Sequence, residues 1–117
     1  MRIETELMRG AGPVAVLKLL ERGEMYGYEL VEALARRSEG LLAMGQSTLY
    51  PMLYNLESKK LIGSRWSDGE GRPRKYYRIT EKGKRALADA TREWQSMAKA
   101  MGNLGVLFGA EAAIGGA

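Results

Sequence analysis

Arg72, Pro73, Arg74 and Lys75 put three positive charges on one tight turn, and Tyr76 and Tyr77 follow at once. A turn of this kind makes a poor core and a good finger for reaching along a phosphate backbone. A second group, Ser47, Tyr50 and Tyr54, carries hydroxyls at helical spacing, and its two tyrosines near a helix start can meet phosphates and base edges in a major groove. The order is a hydroxyl-faced helix, a basic turn and then a long amphipathic helix. It predicts a mainly α fold with a small β-hairpin: a winged helix-turn-helix plus a C-terminal dimerisation helix.

Composition narrows the chemistry. The 117 residues contain neither cysteine nor histidine, which removes disulfides, thiolate metal sites, the commonest zinc ligand and the commonest general base. With no paired carboxylates or activated nucleophile in view, an enzyme is disfavoured, and neither metal nor cofactor is expected. No apolar run reaches the length of about 18 residues that a membrane span needs. Met1 to Gly10 mixes Glu4, Glu6 and Arg9 into its apolar residues, unlike a signal peptide, so the chain reads as cytoplasmic.

Charge is distributed unevenly. The net charge is +4, yet the stretch from Lys59 to Arg85 holds ten basic residues against three acidic ones, leaving −3 for the remainder. A basic segment joined to an acidic remainder fits a protein that meets a polyanion through one surface. On charge alone, a solvated basic face fits equally well.

With 45% hydrophobic residues the chain can bury one core. Pro13 suits a first helical position, and Val14, Val16, Leu17 and Leu20 recur at helical spacing until Gly23. A second helix starts near Tyr26 or Gly27, sets Leu30, Val31 and Leu34 on one side, and fades near Ser38 to Gly40. Leu41 to Gly45 is the turn of a helix-turn-helix.

In the third helix, Pro51 belongs in the first turn because it lacks an N–H, which places the N-cap at Ser47 or Thr48. Leu49, Met52, Leu53 and Leu56 then share the core side, while Ser47, Tyr50, Pro51, Tyr54 and Ser58 share the other. Tyr50 and Tyr54 either face DNA or pack partly against neighbouring helices.

After Lys60 the period changes. Leu61 to Ser67 and Lys75 to Ile79 flank a turn-rich stretch, which reads as a two-stranded wing with Arg72, Arg74 and Lys75 near its tip. Tyr77, Ile79 and Trp66 are expected in core or cross-strand packing. Thr80 should cap the last helix, with Glu81 in its first turn.

Leu87, Ala90, Trp94, Met97, Met101, Leu104 and Phe108 then alternate three and four apart, the seam of a coiled coil. That seam needs a partner, which could be the N-terminal Ile3, Leu7 and Met8, the same helix of another subunit, or both. A homodimer is the expectation. The domains are thus 1–80 for the winged helix-turn-helix, 81–108 for the dimerisation helix, and 109–117 for a flexible tail.

Several blocks occur in an order that resembles the PadR family of bacterial transcriptional regulators. They are Tyr26-Gly27-Tyr28-Glu29-Leu30, Ser47-Thr48-Leu49-Tyr50-Pro51-Met52-Leu53, and Gly71-Arg72-Pro73-Arg74-Lys75-Tyr76-Tyr77-Arg78-Ile79-Thr80 followed by Gly83. The resemblance covers roughly residues 5 to 85, and the short C-terminus resembles the compact branch with a single long helix. It implies a dimeric repressor on an inverted-repeat operator in double-stranded DNA. By position, Ser47, Thr48 and Tyr50 would lie on its recognition helix and Arg72, Arg74 and Lys75 on its wing. It also implies a possible small aromatic effector stacked between subunits on Trp94, beside Met97 and Met101; ordinary dimer packing is the alternative for those three residues. For the whole chain, the alternative is a winged-helix protein-interaction module that never touches DNA.

Overall fold

The computed structural model describes residues 1–67 and 71–107. Four helices and three short strands follow in the order α1 (Thr5–Leu20), β1 (Met25–Tyr26), α2 (Gly27–Arg37), α3 (Gln46–Ser58), β2 (Ile62–Ser67), β3 (Arg74–Ile79) and α4 (Glu81–Asn103). The fold is mainly α with a small antiparallel sheet in the order β1-β3-β2. The chain divides within α4 into two units, Met1–Leu87 and Ala88–Ala117. Phe108 and the tail 109–117 lie outside the described residues.

One core organises the first unit. Val16, Leu17 and Leu20 of α1, Leu30 and Leu34 of α2, and Leu49, Leu53 and Leu56 of α3 close on Ile62, Tyr77 and Leu87. Each of these three helices contributes apolar residues at i, i+3, i+4 or i+7, and Leu19 and Ala33 beside them are buried as well. The core side expected for α3 is thereby observed, with Ser47, Tyr50, Pro51, Tyr54 and Ser58 all exposed.

Both prolines sit deeper in their helices than the sequence suggests. α1 begins at Thr5, so Pro13 lies inside it rather than at its start. Tertiary packing outweighs the missing hydrogen bond: Gly12 is buried, and a Cβ there would come within 2.5 Å of the Met52 methyl, so the glycine lets α1 approach α3. α3 has Gly45 as its N-cap, and Pro51 falls in the second turn. Thr48 and Leu49 both donate to the Gly45 carbonyl, at 3.1 and 3.0 Å. Neither Ser47 nor Thr48 is the cap, and no side chain caps this helix.

Helix ends are closed locally. After α3 the Leu61 N–H reaches the Leu56 carbonyl and the Lys60 N–H reaches Glu57, the paired bonds of a Schellman motif, with Lys60 at φ 63° where glycine is usual. After α4 the same pair runs from Val106 to Met101 and from Gly105 to Gly102, and here Gly105 takes the positive φ. Thr80 caps α4 as expected. Its Oγ1 accepts from the Gly83 N–H at 3.0 Å and faces the Lys60 and Leu61 carbonyls at 2.7 and 3.0 Å, tying the helix start to the end of α3.

The wing is a three-stranded structure. Strand β1 is two residues long, too short to show a period, and pairs Met25 with Tyr77 and Tyr26 with Tyr76. On the other side β3 pairs with β2 from Ile62↔Ile79 to Ser67↔Arg74.

Candidate nucleic-acid interface

Helix α2 starts where β1 stops. Tyr26 is its N-cap, and the Glu29 carboxylate accepts the Tyr26 N–H at 2.9 Å, a capping box that fixes the direction of the first turn. Gly27, the next residue, is a close approach: a Cβ there would meet the Tyr50 hydroxyl at 2.7 Å. The Tyr50 ring of α3 therefore leans on the bare backbone of α2 and still keeps 42% exposure. Tyr50 thus packs on a neighbouring helix while remaining partly exposed. Tyr54, at 72% exposure, faces outward.

The strands set out the wing's charges. Across the three strands Tyr26, Tyr76 and Arg65 form one row, with the tyrosine rings edge to face at 5.6 Å and the Arg65 guanidinium 5.1 Å from the Tyr76 ring. Arg65 also donates through Nε and Nη2 to the two oxygens of Glu24, and this pairing holds the Glu24 carboxyl below its usual range. Arg74 lies over Tyr26 at 4.6 Å. Lys75 sits 3.8 Å from Glu57, whose other oxygen accepts from Ser64 at 2.5 Å. The wing cations thus differ. Arg65 and Lys75 have carboxylate partners, whereas among the described residues Arg72 and Arg74 enter no ion pair.

Tyr77 occupies the centre of this arrangement. It is buried, its Lys75 neighbour lies 5.6 Å away, and burial, with Glu57 and then Tyr50 adding to it, pushes its phenol above the usual range. That fits the anchoring role expected for it.

Two adjoining hollows border the wing. The first, about 300 Å³, is lined by Tyr26, Tyr28, Tyr50, Trp66, Arg74 and Lys75 among others. The second is lined by Tyr26, Tyr28, Arg72 and Arg74. The structure thus gathers Tyr50, Arg72, Arg74 and Lys75. Thr48 instead borders a groove shared with Arg9, Pro13 and Met52, and Ser47 is exposed beside it in sequence.

Of the two places expected for Trp66, core or cross-strand packing, it takes the second. The register does pair it across strands with Lys75, but the ring is 65% exposed and not in the core. Sequence reasoning passed over Tyr26 and Tyr28 as site residues. The signal available for them was two aromatics flanking a glycine at a helix start, directly upstream of a hydroxyl-faced helix.

In the second unit the seam of α4 is largely uncovered. Trp94, Met97 and Leu104 are exposed and Met101 is half-buried. Met97 lines a shallow hollow with Asp89, Arg92, Glu93, Ser96 and Ala100, and neither Trp94 nor Met101 takes part in it. Among the described residues, no helix is long and apolar enough to cross a membrane.

Comparison with known proteins agrees with this geometry. The model of the transcriptional regulator PadR-like family matches residues 16–89. Transcriptional regulator Rv3488 of Mycobacterium tuberculosis is 31% identical over 94 residues, covering 80% of this chain and 85% of that protein. A PadR family transcriptional regulator from Eggerthella lenta is 39% identical and superposes with a TM-score of 0.76, covering 85% of each chain. A transcriptional regulator from Clostridium thermocellum gives 29% and 0.79, covering 85% of this chain and 97% of that one.

Proposed function

The chain belongs to the PadR-like family of transcriptional regulators, and from that premise we propose that it is a homodimeric repressor that binds an inverted-repeat operator in double-stranded DNA. The family is one of regulators and not of enzymes. In this reading the start of α3 enters the major groove and Ser47, Thr48 and Tyr50 read base edges, with Tyr54 reaching the flanking backbone. Arg72, Arg74 and Lys75 hold phosphates and supply affinity without sequence preference. Lys75 shares its charge with Glu57, so Arg72 and Arg74 carry most of that contribution.

The observation that carries the proposal is the gathering of an outward Tyr50 and three wing cations around adjoining hollows, with the two arginines unpaired among the described residues. An interaction module has no need of that combination. Binding of the purified protein to duplexes from its own upstream region, followed by fluorescence anisotropy across a salt series, tests it. Affinity should fall steeply with salt, and Arg72→Gln should lower affinity for all sequences and reduce the logarithmic salt slope by about one. Absence of salt-dependent binding to any upstream fragment would leave the interaction module as the better reading.

Dimerisation is supported by the uncovered seam of α4, where Trp94, Met97 and Leu104 present apolar surface that a second copy would bury. The domain division at 80/81 and the effector role of Trp94, Met97 and Met101 belong to the same proposal, the pocket forming only between two copies. Sedimentation of Met97→Glu, expected to shift toward monomer, tests the seam. Trp94 fluorescence titrated with planar aromatic compounds tests the pocket, and no change across the set would remove it.

A further inference from the structure

Two large aromatic side chains at the wing stand outside the core formed by the described residues. Tyr28 is 51% exposed and Trp66 still more so, yet both line the hollow that Tyr50, Arg74 and Lys75 border. Neither is among the core residues or those packed against them. A second hollow, sharing Tyr26, Tyr28 and Arg74 with the first, adds Arg72. The result is a furrow with a phenol, an indole at its side and two guanidinium groups that form no ion pair among the described residues.

The cations in this furrow are held in place. Arg74 is stacked 4.6 Å over Tyr26, which the capping box and the pairing with Tyr76 fix in turn, and Lys75 is drawn to Glu57. A guanidinium on a ring face still presents its N–H edge outward, the geometry suited to a phosphate. Tyr28 borders the same space with a neutral donor. Trp66 offers a flat apolar surface, and in a nucleotide the group beside the phosphate that suits such a surface is the sugar.

We propose that Tyr28 and Trp66 are contacts to one strand of the DNA backbone: the Tyr28 hydroxyl donates to a phosphate oxygen held by Arg72 and Arg74, and the Trp66 ring covers the adjoining deoxyribose. The proposal rests on the DNA-binding reading above and extends it to two residues outside the recognition helix and the basic turn. It accounts for an exposed tryptophan on a strand whose neighbours are charged, and for a second tyrosine just after the glycine that seats Tyr50.

The test separates this proposal from the reading beneath it. Wild-type protein is titrated by anisotropy with a duplex from its upstream region and with an unrelated duplex, across a salt series, alongside Tyr28→Phe, Trp66→Ala and Arg72→Gln. Tyr28→Phe removes one oxygen and should weaken both duplexes about fivefold while leaving the salt slope unchanged, because a neutral group releases no counterion. Arg72→Gln should change the slope. Trp66→Ala should weaken both duplexes about tenfold. Should that variant unfold, Trp66→Phe made in a Trp94→Phe background provides a second readout, since Trp66 is the sole indole of that background and the emission change on adding duplex should vanish when it is replaced.

If wild type binds and Tyr28→Phe binds within twofold of it, or duplex leaves the emission of the Trp94→Phe background unchanged, the proposal is overturned and the functional reading stands. An effect of Tyr28→Phe confined to the upstream duplex would also overturn it, by assigning a base contact. If wild type binds neither duplex, both fall together.

Discussion

Gly83 lies in the first turn of α4, where helix propensity alone favours alanine by about 1 kcal/mol. The structure reverses that expectation. A Cβ at Gly83 would stand 2.8 Å from Ile79 Cγ1 and 3.0 Å from the Leu61 carbonyl carbon, and closer still to the carbonyl oxygen. Carbon contacts relax near 3.5 to 4.0 Å, so α4 and the segment after α3 must separate by about 1 Å. The Leu61 oxygen accepts the Thr80 N–H at 3.1 Å and faces Thr80 Oγ1 at 3.0 Å, so the displacement strains the cap as well as the packing. Overpacking costs about 1 to 3 kcal/mol, and two strained hydrogen bonds cost about 1 kcal/mol each. Net of the propensity gain, Gly83→Ala should destabilise by about 2 to 4 kcal/mol, and Tm should fall by about 10 to 20 °C.

Gly10 is the control. It lies inside α1 with nothing within 4 Å of a built Cβ, so Gly10→Ala should stabilise by up to about 1 kcal/mol. Thermal melts at matched protomer concentration, with urea titration for ΔG, measure both. A Gly83→Ala protein that melts with wild type would refute the close approach and the reasoning built on it.

Lys60→Gly should raise stability by about 0.5 to 1 kcal/mol, because Lys60 holds a left-handed conformation that glycine adopts without strain; the urea midpoint should rise with m unchanged. Tyr77 has its phenol pKa raised on folding. Its contribution is therefore complete below the unfolded value near 10 and is lost as pH rises through the folded value, so alkaline unfolding should occur at higher pH in Tyr77→Phe. Glu24 behaves oppositely: its pKa is lowered by Arg65, so its contribution is present above the unfolded value of 4.5 and is lost as pH falls through the folded one. Glu24→Gln should flatten the acid limb of a stability-against-pH curve.

The leucine stripes of α2 and α3 made the helix-turn-helix legible in the sequence, because burial of one face sets a 3.6-residue period that composition cannot hide. Thr80 was legible for a similar reason, as a hydroxyl at a helix start has few other uses. The prolines misled. Pro13 and Pro51 mark helix starts when only local bonding matters, and here Gly12 against Met52 and the packed face of α3 hold both helices together through them. Strand β1 could not be read, since two residues carry no period and its partner lies about fifty residues away. For Trp66 the strand pattern allowed core or cross-strand packing; the register pairs it with Lys75, and its 65% exposure, which depends on tertiary packing, could not be read from the pattern.

That distant pairing has a consequence for how the protein becomes competent. Met25 and Tyr26 pair with Tyr77 and Tyr76 across α2, α3 and β2, so this contact requires closing a loop that spans most of the first unit. A two-stranded ribbon alone is marginal in water, and the third strand is the one that brings Tyr26 under Arg74. The wing should therefore be among the last parts to acquire its geometry during folding and among the first to lose it. A partly folded chain would display the helix-turn-helix leucines without an ordered basic finger, and so would hold DNA weakly until the whole unit is complete.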